Sequence, residues 1–302
     1  MEYVKPFLTL EQQADLLQER GLSFEREFLI ECLGAVGYYR LSGYWHILKQ
    51  DDGTFAAGAT FQQAWDWYVL DRQLRLVTLD AIERVEVYLR CQLAYRLSEE
   101  FGAFGYRDRM SLPNLSQGAY ERLMAKCKTV FERSREPFSL HFREAYGDHH
   151  ELPPFWMLVN VMDFGMVVTL YRGAPTPTRK GIARALGVEP KVLDSWLVAL
   201  NTVRNVCAHH GRLWNRVIGT SPAIPRRKND PRWHKPFEVP AKTTCGILTI
   251  LSYLLGHVAP GTAWGHRLLA LLEDRPAEDL RRMGFSEGWR ECPFWRRWLD
   301  AG

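Results

Sequence analysis

Long apolar runs are missing from this chain of 302 residues. The best candidate, Gly246 to Leu255, is well short of the ~20 residues that a membrane-spanning helix needs, and polar residues flank it. No membrane span or membrane partner is expected. The opening MEYVKPF lacks the basic and then apolar organisation of a secretory leader, so a cytoplasmic location is expected. Paired cysteines are missing too. The six present, Cys32, Cys91, Cys127, Cys207, Cys245 and Cys292, are scattered with no C-x-x-C pair, which argues against a zinc module and a disulfide framework and points to a reducing compartment. Strand signals are scarce, since only the turn Asp51, Asp52, Gly53 reads as joining two short strands. Acidic residues nearly vanish from residues 201–236, where eight Lys or Arg face Asp230 alone. With a whole-chain charge of +4, that local excess of seven leaves the remainder at −3, and a polyanion-binding surface is expected there.

What the chain does have is 46% hydrophobic residues, enough for a large core, arranged mostly at helical spacing. Thr9 with Gln12 caps a helix over 9–20 that Gly21 closes, and a second helix covers about 25–36. Tyr38, Tyr39, Tyr44 and Trp45 then cluster around Arg40. Such a cluster can stack unpaired bases, but it serves more often as core. Thr60 with Gln63 opens a helical region that continues to about Glu99, long enough to expect one break, with Ile82, Val85, Leu89 and Leu93 as its buried stripe. Glu83 reads as an ordinary surface salt-bridge partner, whereas Glu86 and Arg90 are held as possible supporting groups for a site. Helices follow at about 117–134, 138–146 and 155–171, the last with Asp163 inside it, and a short one covers 178–186. His149, His150 and Glu151 suggest metal ligands, but adjacent histidines diverge and no further ligand stands at zinc-site spacing, so no metal is expected. Gly219 to Pro240, with five prolines and the run Arg226, Arg227, Lys228, reads as an extended arm able to lie along a phosphate backbone. Helices at 241–258 and 264–275 and a tail rich in tryptophan complete the chain.

The richest stretch is RNVCAHHGRLWNR, residues 204–216. Val192, Trp196, Leu200 and Val203 make the helix leading into it half-buried. Gly211 is placed to take the left-handed conformation that ends such a helix, leaving His209 and His210 in its last turn. A plainer role is open to these residues, since a last-turn histidine can simply meet the helix dipole and Arg204 can pair with a carboxylate. At 3.6 residues per turn Arg204 and His209 point about 140° apart, so one regular helix does not bring them to one small ligand. Either the helix breaks or a second chain contributes. The sequence also holds Arg40 with His46, Arg135 with His141, Arg143 with His149 and Arg227 with His234 at similar spacing, but only Arg204 is followed by an asparagine and preceded by a strong amphipathic helix.

RNVCAHHGRLWNR resembles the motif of the Abi-like (AbiD/AbiF type) abortive-infection proteins, a branch of the HEPN superfamily of helical nucleotide-binding and RNase domains. KPFLTLEQQADLLQERGL (5–22), YYRLSGYW (38–45), LRLVTLDAIERVEVYLR (74–90) and PFWMLVNVMDFGMVVTLY (154–171) resemble the same family in the same order. The resemblance implies a mainly α fold: a HEPN-like helical bundle with additional N- and C-terminal helices and at most a small β-hairpin. It suggests an N-terminal region 1–59, a core 60–218 and a basic arm with C-terminal helices 219–302. It also implies phage defence by abortive infection, or toxin activity, through endoribonuclease action. The resemblance further links such proteins to small noncoding RNAs, which keeps open an RNA-binding scaffold that holds a small noncoding RNA without cutting it.

RNA carries its own nucleophile, the 2′-hydroxyl. Cleavage needs a base for its proton, an acid for the leaving 5′-oxygen and a cation at the phosphate, and no metal or cofactor. His209 can serve as base or acid near neutral pH, with His210 as the alternative. Arg204 can stabilise the charge that builds on the phosphate, and Asn205 can orient either group. Arg212, Asn215, Arg216, Arg226, Arg227, Lys228 and Arg40 are the expected RNA contacts. One histidine does not easily serve as both acid and base, so a homodimer with a composite site at its interface is expected, in line with the paired motifs of HEPN RNases. An alternative is that Arg143 with His149 supplies the second motif within one chain. The activating signal and any antitoxin are not legible in the sequence.

Overall fold

The computed structural model describes residues 2, 4 and 6–299. Among these are fourteen α-helices and no strand, so the fold is mainly α. The chain divides into two units, Met1–Arg75 and Leu76–Gly302, with the division inside one long helix.

In the first unit, α1 (Leu10–Glu19) starts where its capping box requires. The Gln12 N–H donates to the Thr9 hydroxyl at 3.3 Å, and the Thr9 N–H donates to the Gln12 side chain at 2.9 Å. Next comes α2 (Arg26–Val36), capped by the Glu25 carboxylate. Gly37, at φ 89°, turns the chain directly into α3 (Tyr38–Trp45). The aromatic cluster therefore lies on one short helix, which sorts it: Leu41, Tyr44 and Trp45 are buried, while Tyr39 stays 81% exposed. Two of its four aromatics, Tyr44 and Trp45, are core, Tyr38 is half-buried and Tyr39 is exposed. The Tyr44 hydroxyl donates to Asp71 at 2.6 Å, and fully buried Asp71 pairs with Arg75 one turn further along. Burial, reinforced by the Asp71 charge, pushes the Tyr44 phenol far above its ordinary value.

The expected hairpin at Asp51–Gly53 is a turn closed by a single antiparallel bridge between Lys49 and Phe55. Asp52 accepts from both the N–H and the hydroxyl of Thr54, at 2.9 and 2.6 Å, which satisfies the turn locally and lowers the Asp52 pKa. Strands do not extend, because His46–Leu48 is a 3₁₀ turn and Thr60 already caps the next helix with Gln63.

That helix, α4 (Phe61–Phe101), corrects another expectation: it is 41 residues long and unbroken. Residues 61–101 contain no glycine or proline, so nothing interrupts its hydrogen bonding over a length of about 60 Å. Gly102, at φ 77°, ends it.

The second unit continues with α5 (Gln117–Arg133), α6 (Pro137–Tyr146), α7 (Phe155–Leu158), α8 (Phe164–Gly173), α9 (Thr176–Ala185), α10 (Pro190–Ala208), α11 (Thr244–Val258), α12 (Trp264–Leu272), α13 (Ala277–Arg282) and α14 (Pro293–Leu299). Its centre is α10, which packs on α8, α9 and α11. Every residue of α11 from Thr244 to Leu255 is buried, and the tryptophan-rich tail covers it. Trp295 donates to the Thr249 hydroxyl at 3.0 Å and Trp298 to the Ser252 hydroxyl at 2.8 Å. Trp289, Trp295 and Trp298 are thus core residues of their own chain. No helix among the described residues is long and apolar enough to cross a membrane.

Removing Asp71 leaves the Arg75 charge and the Tyr44 hydroxyl buried without their acceptor. Asp71→Ala is expected to lower unfolding stability by about 3–5 kcal/mol in urea titration, and a loss below about 1 kcal/mol would show that this pair does not hold the first unit together.

Candidate functional site

The apolar stretch 155–171 does not form the single helix its hydropathy suggests. It breaks into α7, a 3₁₀ turn at Val159–Val161 and α8, whose start is capped by Asp163 accepting from the Met166 N–H at 2.8 Å. Asn160 and Asp163, two polar residues close together in this run, mark the break. Such a break frees backbone carbonyls that a continuous helix would bond, and buried carbonyls need partners. Arg90 supplies them from α4. Its guanidinium donates to the Val159 carbonyl at 2.5 Å and the Met162 carbonyl at 2.6 Å, and it also pairs with Glu86 one turn back on its own helix. Both side chains are largely buried, at 14% and 12% exposure. The two residues held as supporting groups therefore form a brace between α4 and the broken segment.

Beside this brace, Arg204 lines a cleft of about 410 Å³ together with Glu83, Glu86, Arg90 and Asn160. Arg90 holds Glu86, and among the described residues no hydrogen bond or ion pair engages the Arg204 guanidinium or the Glu83 carboxylate. The Asn160 amide donates to the Trp156 carbonyl at 2.7 Å. Glu83 belongs to the cleft wall rather than to a helix salt bridge. Asn160 was not singled out from sequence, although its polarity within an apolar run was a usable signal.

The motif helix ends differently from expectation. α10 stops at Ala208, and the residue in left-handed conformation is His210, at φ 58°, rather than Gly211. The Gly211 N–H donates to the Val206 carbonyl at 2.7 Å and the His210 N–H to the Cys207 carbonyl at 3.1 Å, closing the helix end. A side chain at 211 would meet the Val206 carbonyl and methyl at 3.2 Å, a tight fit, and the unusual backbone falls on His210. His209 is the C-cap residue. It is exposed, as are His210 and Asn205, and His209 does not line the Arg204 cleft.

Downstream, Leu213 and Trp214 are fully buried, and Asn215 holds a second left-handed backbone, at φ 51°. Arg216 is exposed and donates to the Arg212 carbonyl at 3.1 Å, while Arg212 is half-buried. Arg40 is exposed on α3 of the first unit. Arg143 donates to the carbonyls of Phe131 and Ser134 at 2.6 and 2.9 Å, whereas His149 is exposed and lies 3.4 Å from the Asp148 carboxylate. His150 stacks on Phe104, and Glu151 pairs with Lys128.

The proline-rich segment 219–240 is not a free arm. Trp233 is fully buried against Trp196, Tyr253 and Phe294. The Trp196 indole donates to the Ala223 carbonyl at 2.7 Å, and the Ala223 N–H donates to the Ser195 hydroxyl at 2.9 Å, strapping the segment across α10. Burial alone would raise the Asp230 pKa, but hydrogen bonds from the Arg232 side chain and backbone outweigh it and hold the carboxyl below its ordinary value. Arg226, Arg227 and Lys228 remain exposed at a turn of this strap.

Replacing Arg90 by alanine strands a largely buried carboxylate and two carbonyls. Arg90→Ala is expected to cost about 3–5 kcal/mol of unfolding free energy, with Arg90→Lys recovering part of it. Urea unfolding of the alanine variant at wild-type midpoint would remove the brace from the account.

No curated protein and no solved structure matches the chain. The sequence profile of the family described as Abi-like protein matches residues 31–215, a span that runs from α2 through the Arg204 motif. That span is more than half of the sequence, and the chain belongs to the Abi-like protein family.

Proposed function

We propose that this protein is a metal-independent endoribonuclease of HEPN type acting in phage defence. Family membership suggests abortive infection. The observation that carries the chemistry is the state of Arg204: half-buried, lining a cleft with Glu83 and Glu86, and in an ion pair with neither, Glu86 being held by Arg90. An arginine kept desolvated and unneutralised suits an anionic ligand, and phosphate accepts its paired N–H donors well.

In the proposed reaction a histidine removes the proton of the RNA 2′-hydroxyl. The 2′-oxygen attacks the adjacent phosphorus, the bond to the 5′-oxygen breaks, and a second histidine returns a proton to that oxygen. The products are a 2′,3′-cyclic phosphate and a 5′-hydroxyl. Arg204 stabilises the charge that builds on the non-bridging oxygens. His209 is the proton carrier, and Asn205, exposed one turn before it, orients either the histidine or the phosphate. DNA has no 2′-hydroxyl and is not a substrate for this route.

Acid and base come from two copies of the chain. Arg204 and His209 diverge on one helix, and the cleft merges with an apolar groove where Val87, Tyr95 and Trp156 are 53%, 65% and 50% exposed. Exposed apolar surface continuous with an incomplete site supports a two-fold interface there.

Incubated with labelled RNA in EDTA, wild type is expected to produce cyclic-phosphate ends, and Arg204→Ala or His209→Ala to slow single-turnover cleavage by about 10²–10⁴-fold. The rate per chain is expected to fall on dilution. Cleavage that survives both substitutions would overturn the assigned chemistry, and full activity in a demonstrated monomer would overturn the composite site. A discrete RNA recovered with both wild type and variant, cut by neither, would instead establish an RNA-binding scaffold.

A further inference from the structure

We propose a second RNA-contacting site, away from the Arg204 cleft: a basic groove between α9, the start of α10 and the strap, which takes the phosphodiester backbone of a single strand. The proposal rests on RNA being the ligand, as argued above, and names where the strand is held. The groove has a volume of about 840 Å³. Lys180 and Arg184 line it from α9, Lys191 from the first turn of α10 and Arg226 from the strap. All four are exposed, and among the described residues none has an ion-pair or hydrogen-bond partner for its charge.

The arrangement is not that of an ordinary solvated surface. Lys180 and Arg184 stand one turn apart on the same face of α9, where like charges repel. Two acidic residues line the groove: Glu189 accepts from the Asn229 amide, also in the lining, at 2.5 Å, and Asp230 pairs with Arg232 at 2.8 Å. Arg232 neutralises Asp230, whereas the Asn229 amide leaves the Glu189 charge in place, so the four cations outnumber the unpaired carboxylate and an external polyanion is the natural counter-charge for the excess.

Its walls are fixed. The Tyr253 hydroxyl, from buried α11, lies within hydrogen-bond distance of the Leu186 and Gly187 carbonyls, at 3.0 and 3.1 Å, pinning the turn between α9 and α10. Gly187 has φ 65°, and a side chain there would lie 2.7 Å from that hydroxyl. The opposite wall is held by the Ala223 contacts with Ser195 and Trp196. Cations on two rigid walls, with Arg227 and Lys228 continuing past Arg226, make a track for a chain of phosphates. The apolar lining is Val188, Pro190, Val192, Ile224 and Pro225, with no aromatic ring on which a base could stack. Binding is therefore expected to read the backbone and to discriminate little among bases.

The test measures binding of a labelled 20-nucleotide single-stranded RNA as a function of KCl in the Arg204→Ala, His209→Ala background, so that cleavage plays no part. Adding Lys180→Gln, Arg184→Gln, Lys191→Gln and Arg226→Gln is expected to weaken binding at least about tenfold at low salt. The slope of log affinity against log salt is expected to flatten by about 2.8, from ~0.7 per phosphate contact on a single strand. Exchanging the same four between lysine and arginine is expected to restore the slope. An unchanged slope would overturn the groove whether or not wild type cuts RNA, and the expected slope would sustain it even if wild type cuts nothing. Polyglutamate binding more tightly than RNA, or ATP displacing RNA stoichiometrically, would overturn it in favour of an acidic-protein surface or a small-anion pocket.

Discussion

The second unit depends on what Arg90 does where α7 and α8 fail to join. A helix broken inside a core leaves carbonyls that water cannot reach, and their desolvation must be offset by donors from another element. Arg90 reaches across from α4 with donors for Val159 and Met162, and Glu86 balances its charge within the same helix. One group thereby satisfies the break and holds one of the two cleft carboxylates, Glu86, away from Arg204. The availability of Arg204 follows from that choice of partner. Had Glu86 paired with Arg204 instead, the cleft would hold a closed ion pair and buried Arg90 would lack its counter-charge.

The legibility of this arrangement in the sequence was uneven, for physical reasons. Helix starts were readable because a capping box is local: Thr9 with Gln12 and Thr60 with Gln63 form as their spacing implies. The family was readable from the ordered motifs, and Glu86 and Arg90, held as supporting groups from residue type alone, line one cleft with Arg204. The break at 159–163 was not, because apolar residues suit a buried helix and a buried turn equally, and the donor that permits the turn lies about seventy positions earlier in the chain. α4 was expected to break on length alone, yet the absence of glycine and proline from it was the better guide. Helix-end chemistry misled at Gly211, since the left-handed backbone falls one residue earlier, on His210, while Gly211 closes tightly on Val206.

The strap illustrates a different limit. Five prolines and a basic run describe a segment without regular hydrogen bonding, and composition says nothing of whether such a segment is free. Trp233 decides it, since a fully buried indole among Trp196, Tyr253 and Phe294 fixes the segment on the core while its turn presents Arg226, Arg227 and Lys228. Holding flexible-looking sequence in one place matters for binding a polymer: cations already in position lose less conformational freedom on contact than cations on a mobile arm.

Rigidity at the motif bears on the same question. His209 sits at the last hydrogen-bonded position of α10, and the turn after it is closed by Gly211 and His210 rather than left to fray. A fixed helix end preserves the angular separation of Arg204 and His209 instead of letting the chain fold His209 back toward the arginine. Within one chain that separation is a defect for a single reacting phosphate. In the proposed two-fold arrangement it becomes useful, because each Arg204 would share a phosphate with the histidine of a second copy while both stay on stiff supports. The closed helix end therefore favours a site completed by a second chain over one completed by rearrangement of the first.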